Sequence, residues 1–262
     1  INQETEWSIA ERLEEIRAEH PEYRGLSFAT IAGYAGNGAI VHYEATAENH
    51  AQLADKSFLL LDSGAHYVSG TTDITRTIPL GVLSDEEKKA YTLVLKGMIQ
   101  LSMAHFPAGT TGLALDFAAR QSMWREGYDF GHGTGHGVGS HLCVHEGPHQ
   151  IRKDRRAATE VPFQVGMTVS NEPGIYVADK FGVRLENVLV AQPAQQNPFG
   201  NFLKFETLTL CPLDLAPIVV EMLEPSERQW LNAYHEVVRA ELLPLLSDEK
   251  DKEWLLQATK AL

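Results

Sequence analysis

Five side chains between positions 62 and 186 are the part of this sequence that could do chemistry. They are Asp62 in LLLDSG, Asp73 in TTDITRT, His136 in GHGTGHGVG, Glu172 in SNEPGIY and Glu186 in VRLENV. One imidazole with four carboxylates is a ligand set for two divalent ions. Hard oxygen donors with a single nitrogen suit manganese, zinc, cobalt or iron(II) rather than copper or an iron–sulfur cluster. Two aspartates and two glutamates gathered without cations would repel, so bound cations are the simplest reason to collect them. Two ions roughly 3.5–4 Å apart can share a water and lower its pKa from ~15.7 towards ~7, making a nucleophile for a carbonyl. Taken singly, each acid reads as a solvated strand end or turn residue; the reading rests on the five together.

The elements that must position them follow from periodicity and punctuation. Apolar residues at three- and four-residue steps predict a helix over 4–20, stopped by Pro21. Residues 26–43 and 57–63 read as strands and 72–79 as a return strand, so Asp62 and Asp73 fall on two arms of a hairpin. Ser84 with Glu87 forms a capping box before a helix running to about His105, and 111–126 reads as a second helix up to Gly127. Strands at 167–177 and 183–191 place Glu172 and Glu186 on another pair. Each half thus offers a strand pair with two carboxylates, 11 positions apart in the first and 14 in the second, and facing pairs would enclose a metal site between sheets. A strand at 203–210 and two helices follow, one begun by a Ser226 to Gln229 capping box and one running from Ser247, with no evident chemistry of their own.

Composition restricts the function classes. The 262 residues, 44% hydrophobic and 22% charged, suit one large or two small soluble domains and neither disorder nor a fibrous repeat. No apolar run is long enough to span a bilayer, and no basic segment leads into an apolar stretch at the start, so membrane association and secretory targeting are unsupported and a cytoplasmic protein is expected. A net charge of −13, with only the short stretch from Arg152 to Arg156 basic, argues against nucleic acid as a partner. The spacing of Cys143 and Cys211 fits neither a zinc ribbon nor a redox pair, so both read as reduced, partly buried thiols. The chain begins at Ile1, which reads as a processed or truncated product.

The runs NGAIVHY, DSGAHYVSGTTDITRT, VLKG, HGTGHGVGSHLCVHEGP, NEPGIY and FETLTLCPLDL carry a resemblance over nearly the whole chain. It resembles the metal-dependent Xaa-Pro aminopeptidases (aminopeptidase P), in their long cytosolic form, of the pita-bread metallopeptidases that also include methionine aminopeptidase and prolidase. The resemblance implies an α+β pita-bread fold, a curved antiparallel sheet covered by helices, with pseudo-twofold halves. Residues 1–200 would be the catalytic domain and 201–262 an extension packed on it or on a dimer partner. It implies cleavage of the N-terminal Xaa-Pro bond of peptides with proline second, with two divalent ions, manganese first and zinc, cobalt or iron(II) as alternatives. Asp62 would hold one metal through both oxygens, Asp73 and Glu186 would bridge, and His136 and Glu172 would complete the other. Glu206 would be no ligand. His42, His132 and His145 match the histidines around the scissile bond and Arg184 a nearby arginine. Glu172 would act as general base then acid, His42 and His145 would contact the transition state, and His132 would shape the proline pocket. Long members carry two further domains ahead of this region, and the fold is expected to survive without them. The glycines from Gly131 to Gly139 are expected to allow close backbone approach to substrate or metal. His66, His105, His141, His149 and His235 are read as structural or surface residues. Prolidase and methionine aminopeptidase are the alternatives within the fold, disfavoured by HGTGHGVG with the later VHEGP. A non-catalytic binding module and creatine amidinohydrolysis are the alternatives outside it, both disfavoured by the intact ligand set.

Overall fold

The computed structural model describes residues 3–141 and 143–262. In chain order the elements are α1 (Glu6–Ala18), β1 (Tyr23–Leu26), β2 (Ile31–Tyr34), β3 (Phe58–Ser63), β4 (Ala65–Tyr67), β5 (Gly70–Thr71), β6 (Ile74–Pro79), α2 (Asp85–Ser102), β7 (His105–Pro107) and α3 (Gly112–Arg125). After these come β8 (Gly135–His136), β9 (Gln150–Ile151), β10 (Thr168–Asn171), β11 (Gly174–Val177), β12 (Phe181–Arg184), β13 (Asn187–Asn197), β14 (Gly200–Thr207), α4 (Pro225–Leu242) and α5 (Glu249–Ala258). Every named strand pairing is antiparallel, giving an α+β architecture.

Two long hairpins organise the sheets, and both are interrupted. In the first, β3 pairs with β6 in the register Asp62↔Thr75 and Ser63↔Ile74. Pairing stops at Gly64, where a Cβ would lie 2.1 Å from the Thr72 carbonyl oxygen, and resumes with β4 on β5. In the second, β10 pairs with β13 up to Asn171↔Asn187, and β11 on β12 begins at Gly174↔Arg184. Asp73 and both glutamates therefore lie in gaps between paired segments. The gaps free these residues from the two-residue alternation that would bury or expose them in turn.

Helices cover the sheets. The Ser84 to Glu87 capping box is present on α2, while α1 starts from Thr5, whose hydroxyl accepts from Ser8 N–H. Gly127 follows α3 at φ +79°, the left-handed conformation that a helix stop favours. One core joins α2 and α4 to β11 and β12 through Tyr91, Leu95, Met98, Ile175, Val183, Leu231 and Val238; a second joins α3 to β13, β14 and β7 through Phe106, Ala119, Leu189 and Phe205. Each buried leucine or phenylalanine contributes about 1.5–3 kcal/mol. Residues 201–262 contribute to both cores.

Several expectations need correction. Of residues 26–43, Leu26 ends β1 and Ile31–Tyr34 forms β2, followed by a 3-10 turn at Ala35–Ala39, because Gly36 and Gly38 favour a turn. The helix expected to reach His105 ends at Ser102, and His105–Pro107 is a strand pairing with β14. The strand expected at 203–210 is Gly200–Thr207. The Ser226 to Gln229 box is not the start of α4: Glu224 caps it with Glu227, and Pro225 opens the first turn. Helix α5 starts from Asp248. Cys143 is exposed rather than partly buried, and Cys211 is half-buried.

Candidate metal centre

The hairpin gaps face one another across direct bonds. Glu186 N–H donates to the Thr75 carbonyl at 3.1 Å, the Thr75 hydroxyl donates to Glu186 Oε2 at 2.8 Å, and the Thr77 hydroxyl donates to the Arg184 carbonyl at 2.8 Å. Alternate residues of β6 thus hold alternate residues of the β12–β13 segment. Asp73, His136 and Glu186 come together, each offering a ligand atom within 4.8 Å of the others. His136 Nε2 is 3.3 Å from Asp73 Oδ2 and 3.4 Å from Glu172 Oε1. Asp62 joins through Arg184, whose guanidinium donates to Asp62 Oδ2 at 2.7 Å.

The positioning shell is built mostly from hydroxyls and a helix. Ser170 Oγ accepts from His136 N–H at 2.9 Å and donates to Glu172 Oε1 at 3.1 Å, so one serine orients both. Asn171, one residue before Glu172, donates to Met98 O and Ser102 Oγ at the end of α2. From α3, buried Arg120 donates to Asp116 at 2.6 Å and to the carbonyls of Phe130 and His132. Asp116 in turn accepts from Thr134 Oγ1 at 2.6 Å, and Thr134 O accepts from Glu172 N–H. Within the 131–139 run, Gly135 and Gly137 pass close to the protein's own backbone, and Gly133 and Gly135 also line the central cavity. A Cβ at Gly135 would lie 1.9 Å from Ser170 O, and one at Gly137 1.9 Å from Glu146 O.

Electrostatics mark the cluster as short of positive charge. Burial, and then Asp73 and Glu172, push the Glu186 carboxyl well above the usual range. Burial raises Glu172 to about 7, with Asp73 adding to the effect against the opposing charge of His136, and burial raises Asp62 despite Arg184. Burial alone would depress His136, yet Asp73 and Glu172 lift it to about 9. Its Nδ1 lies 2.9 Å from Gly137 O, which directs Nε2 at the carboxylates. Asp62 Oδ1 is buried with no partner among the described residues, and buried polar atoms are normally paired. An orphaned carboxylate oxygen beside a hard-donor cluster fits divalent metal.

The cluster forms one wall of a cavity of about 450 Å³, also lined by Phe28, Ile31, Val41, His42, His132, His145 and Arg184. His42 lies on the turn after the 3-10 segment rather than in a strand. The His145 ring sits 4.3 Å from that of His136, and partial burial with the His136 charge lowers its pKa. Burial lowers His132 to about 3; its Nδ1 lies 2.7 Å from Gly133 O and its Nε2 2.7 Å from Tyr176 OH, which also accepts from Arg184 at 2.8 Å. Glu206 is exposed on β14. His141 is exposed, its N–H donating to Thr71 Oγ1 and its Nδ1 2.9 Å from Tyr67 O. Sequence reasoning did not single out Thr75, Ser170, Tyr176 or Arg120. Only the Asp116 to Arg120 spacing, one helical turn, carried a signal.

Residues 2–193 match the model of metallopeptidase family M24, and residues 201–262 match the C-terminal region of peptidase M24. Aminopeptidase P1 of Lotus japonicus is 48% identical over 98% of this chain and 39% of its own length; Aminopeptidase P1 of Arabidopsis thaliana is 46% identical over 98% and 40%. The chain thus spans about two fifths of these curated relatives. Among solved structures, the X-prolyl aminopeptidase of Caenorhabditis elegans, described as a cytosolic enzyme with a di-nuclear active site, superposes with a TM-score of 0.92 at 37% identity, covering 98% of this chain and 42% of that one. A prolidase from Pyrococcus furiosus superposes with a TM-score of 0.66 at 28% identity, covering 79% and 56%. The expected α+β pita-bread fold is the one observed. With interrupted hairpins converging on a carboxylate and imidazole cluster, and one family model spanning 2–193, the chain belongs to metallopeptidase family M24.

Proposed function

We propose that this chain is the catalytic region of a metal-dependent Xaa-Pro aminopeptidase, hydrolysing the bond between an N-terminal residue and a following proline. The observation that carries the reading is the convergence of Asp73, His136 and Glu186 within 4.8 Å, beside an Asp62 oxygen buried without a partner. The relatives named for aminopeptidase P support the substrate class. Asp62, Asp73, His136, Glu172 and Glu186 would hold two divalent ions, manganese being our assignment over zinc, cobalt or iron(II). Such ions, when bound, supply an acidified water and positive charge for a carbonyl oxygen.

The chain's own groups do the rest. Glu172 accepts a proton and returns it to the proline nitrogen, a secondary amine that leaves poorly unless protonated. His42 and His145, on the cavity wall, offer N–H groups to the carbonyl oxygen as it gains charge. His132, neutral and fixed between Gly133 O and Tyr176 OH, gives an uncharged wall for the proline ring. Arg184 balances Asp62 from the same side. We take 1–200 as the catalytic domain and 201–262 as an extension folded into the same unit, in a cytoplasmic protein that acts on peptides, with neither nucleic acid nor membrane as partner and a homodimer as a candidate assembly. Among the described residues no helix is long and apolar enough to cross a membrane.

The test is mass-spectrometric cleavage of Arg-Pro-Pro, Met-Ala-Ser and the dipeptide Gly-Pro by chelator-stripped protein with and without manganese. Manganese-dependent removal of arginine alone is the expected result. Cleavage of Met-Ala-Ser or Gly-Pro instead would move the reading to methionine aminopeptidase or prolidase, and metal uptake without any cleavage would favour a binding role.

A further inference from the structure

Arg76 lies three residues beyond Asp73, is buried with 8% exposure, and uses all five of its N–H groups on neutral oxygens. Its Nε donates to Pro212 O at 2.9 Å. One terminal nitrogen donates to Thr75 O at 2.9 Å and Glu186 O at 2.6 Å, and the other to Asn187 Oδ1 and Cys211 O, both at 2.8 Å, with Tyr234 OH at 3.2 Å. The Tyr234 hydroxyl donates onward at 3.0 Å to Thr209 O or at 2.8 Å to Cys211 O. One guanidinium therefore joins three parts of the chain. These are the β6 strand that follows Asp73, the backbone of Glu186 itself, and residues 209–234 of the C-terminal segment, 135 and 136 positions away at Cys211 and Pro212.

A buried cation with neutral partners is costly unless each donor is used. Its yield here is geometric, because planar donors pointing to opposite sides fix the spacing between the Thr75 and Glu186 carbonyls on one side and the Cys211 and Pro212 carbonyls on the other. Neighbours of a ligand that set its orientation alter metal affinity without touching the metal. Resting on the metal-site reading, we propose that Arg76 is a positioning residue through which the C-terminal segment sets the affinity of the metal centre. No residue of 201–262 lines the central cavity, so this assigns the segment a part in metal binding that its own side chains do not carry out.

The experiment is cobalt titration of chelator-stripped protein, followed by visible absorption and calorimetry, for wild type, Arg76→Lys, Arg76→Met and Tyr234→Phe. Far-ultraviolet circular dichroism reports folding of each variant before metal is added. Arg76→Lys retains the charge but not the planar fork, so it is expected to weaken cobalt binding about 10- to 100-fold, as loss of outer partners does, and to alter the cobalt spectrum. Tyr234→Phe removes one of the guanidinium's partners on the C-terminal side and leaves the charge and the planar fork in place. It should weaken binding several-fold while the secondary-structure signal stays unchanged. Wild-type affinity and spectrum in folded Tyr234→Phe and Arg76→Lys would overturn the proposal. Failure of the wild-type protein itself to bind cobalt would instead refute the metal-site reading, which keeps the two failures apart.

Discussion

Replacing Glu186 with glutamine should stabilise or spare the metal-free protein and cripple the metal-loaded one. The substitution keeps an acceptor for the Thr75 hydroxyl, 2.8 Å from Oε2, and removes one charge. Ligand atoms of Glu186 and Asp73 lie within 4.8 Å of each other, so two full charges there repel by about 3 kcal/mol at an effective dielectric near 20. Partial protonation of Glu186 reduces that, giving a metal-free gain between zero and about 3 kcal/mol. With an unfolding entropy of about 2.1 cal/mol/K per residue over 262 residues, the upper end corresponds to a rise in Tm of about 6 °C. Metal acts oppositely: each ion at a hundred times its Kd adds about 2.7 kcal/mol, so two ions raise the wild-type Tm by about 10 °C. Scanning calorimetry of both proteins, chelated and with manganese, should show Glu186→Gln melting at or above wild type without metal and well below it with metal. A metal-free variant melting several degrees below wild type, or an undiminished manganese shift, would refute the reasoning.

Four further outcomes are expected. Asp73→Ala should lose cobalt binding and turnover together, whereas His141→Ala, an exposed residue away from the cluster, should change cobalt affinity less than twofold. Gly135→Ala forces a Cβ to within 1.9 Å of Ser170 O, so the strand bearing His136 must shift. Denaturation should show a loss of about 2 kcal/mol or more, and cobalt titration a weakened site. Glu6 is buried and accepts from Tyr34 N–H, Ala51 N–H, Asn37 and the Tyr43 hydroxyl beside His42. Turning one acceptor into an amide donor in Glu6→Gln should cost about 1–3 kcal/mol by urea denaturation. Burial pushes His235 down to about 4, and its Nε2 accepts from Leu213 N–H. A neutral folded histidine that protonates near 6.5 when unfolded contributes stability in full above pH 6.5 and loses it as pH falls towards 4. Wild type should lose about 2 kcal/mol more than His235→Gln between pH 7 and pH 5; equal losses would place the dependence elsewhere.

What could be read from the sequence was what lies in residue type and local spacing. Asp62, Asp73, His136, Glu172 and Glu186 stand in short runs of distinctive composition, and Ser84 with Glu87 states its cap within four positions. The interruptions at Gly64 and at Glu172 to Pro173 leave little trace in alternation, since a few unpaired residues inside a β-rich run look like strand. The capping pattern at Ser226 was misleading because Glu224 caps the helix and Pro225 opens it, two residues before the start that Ser226 would set. Thr75, Ser170 and Tyr176 are ordinary strand residues until the fold brings their hydroxyls to the cluster. Arg76 is harder still to read, because its partners are mainly backbone carbonyls, which every residue possesses. Contacts of that kind have no sequence signature.

The bond between Thr75 and Glu186 spans 111 positions, and the one between Arg76 and Tyr234 spans 158. Closing such long loops comes late in assembly. During synthesis, a chain that has emerged only as far as Glu172 already displays Asp62, Asp73, His136 and Glu172 but has no Glu186 and no clamp. On the proposed role of Arg76, tight metal binding is expected only once the segment from Thr209 to Tyr234 has joined the five ligands. Ribosome-bound chains with residues 1–195 clear of the exit tunnel should retain far less cobalt than released chains carrying residues 1–262. Retention at parity would show that the first three quarters gather the metal unaided.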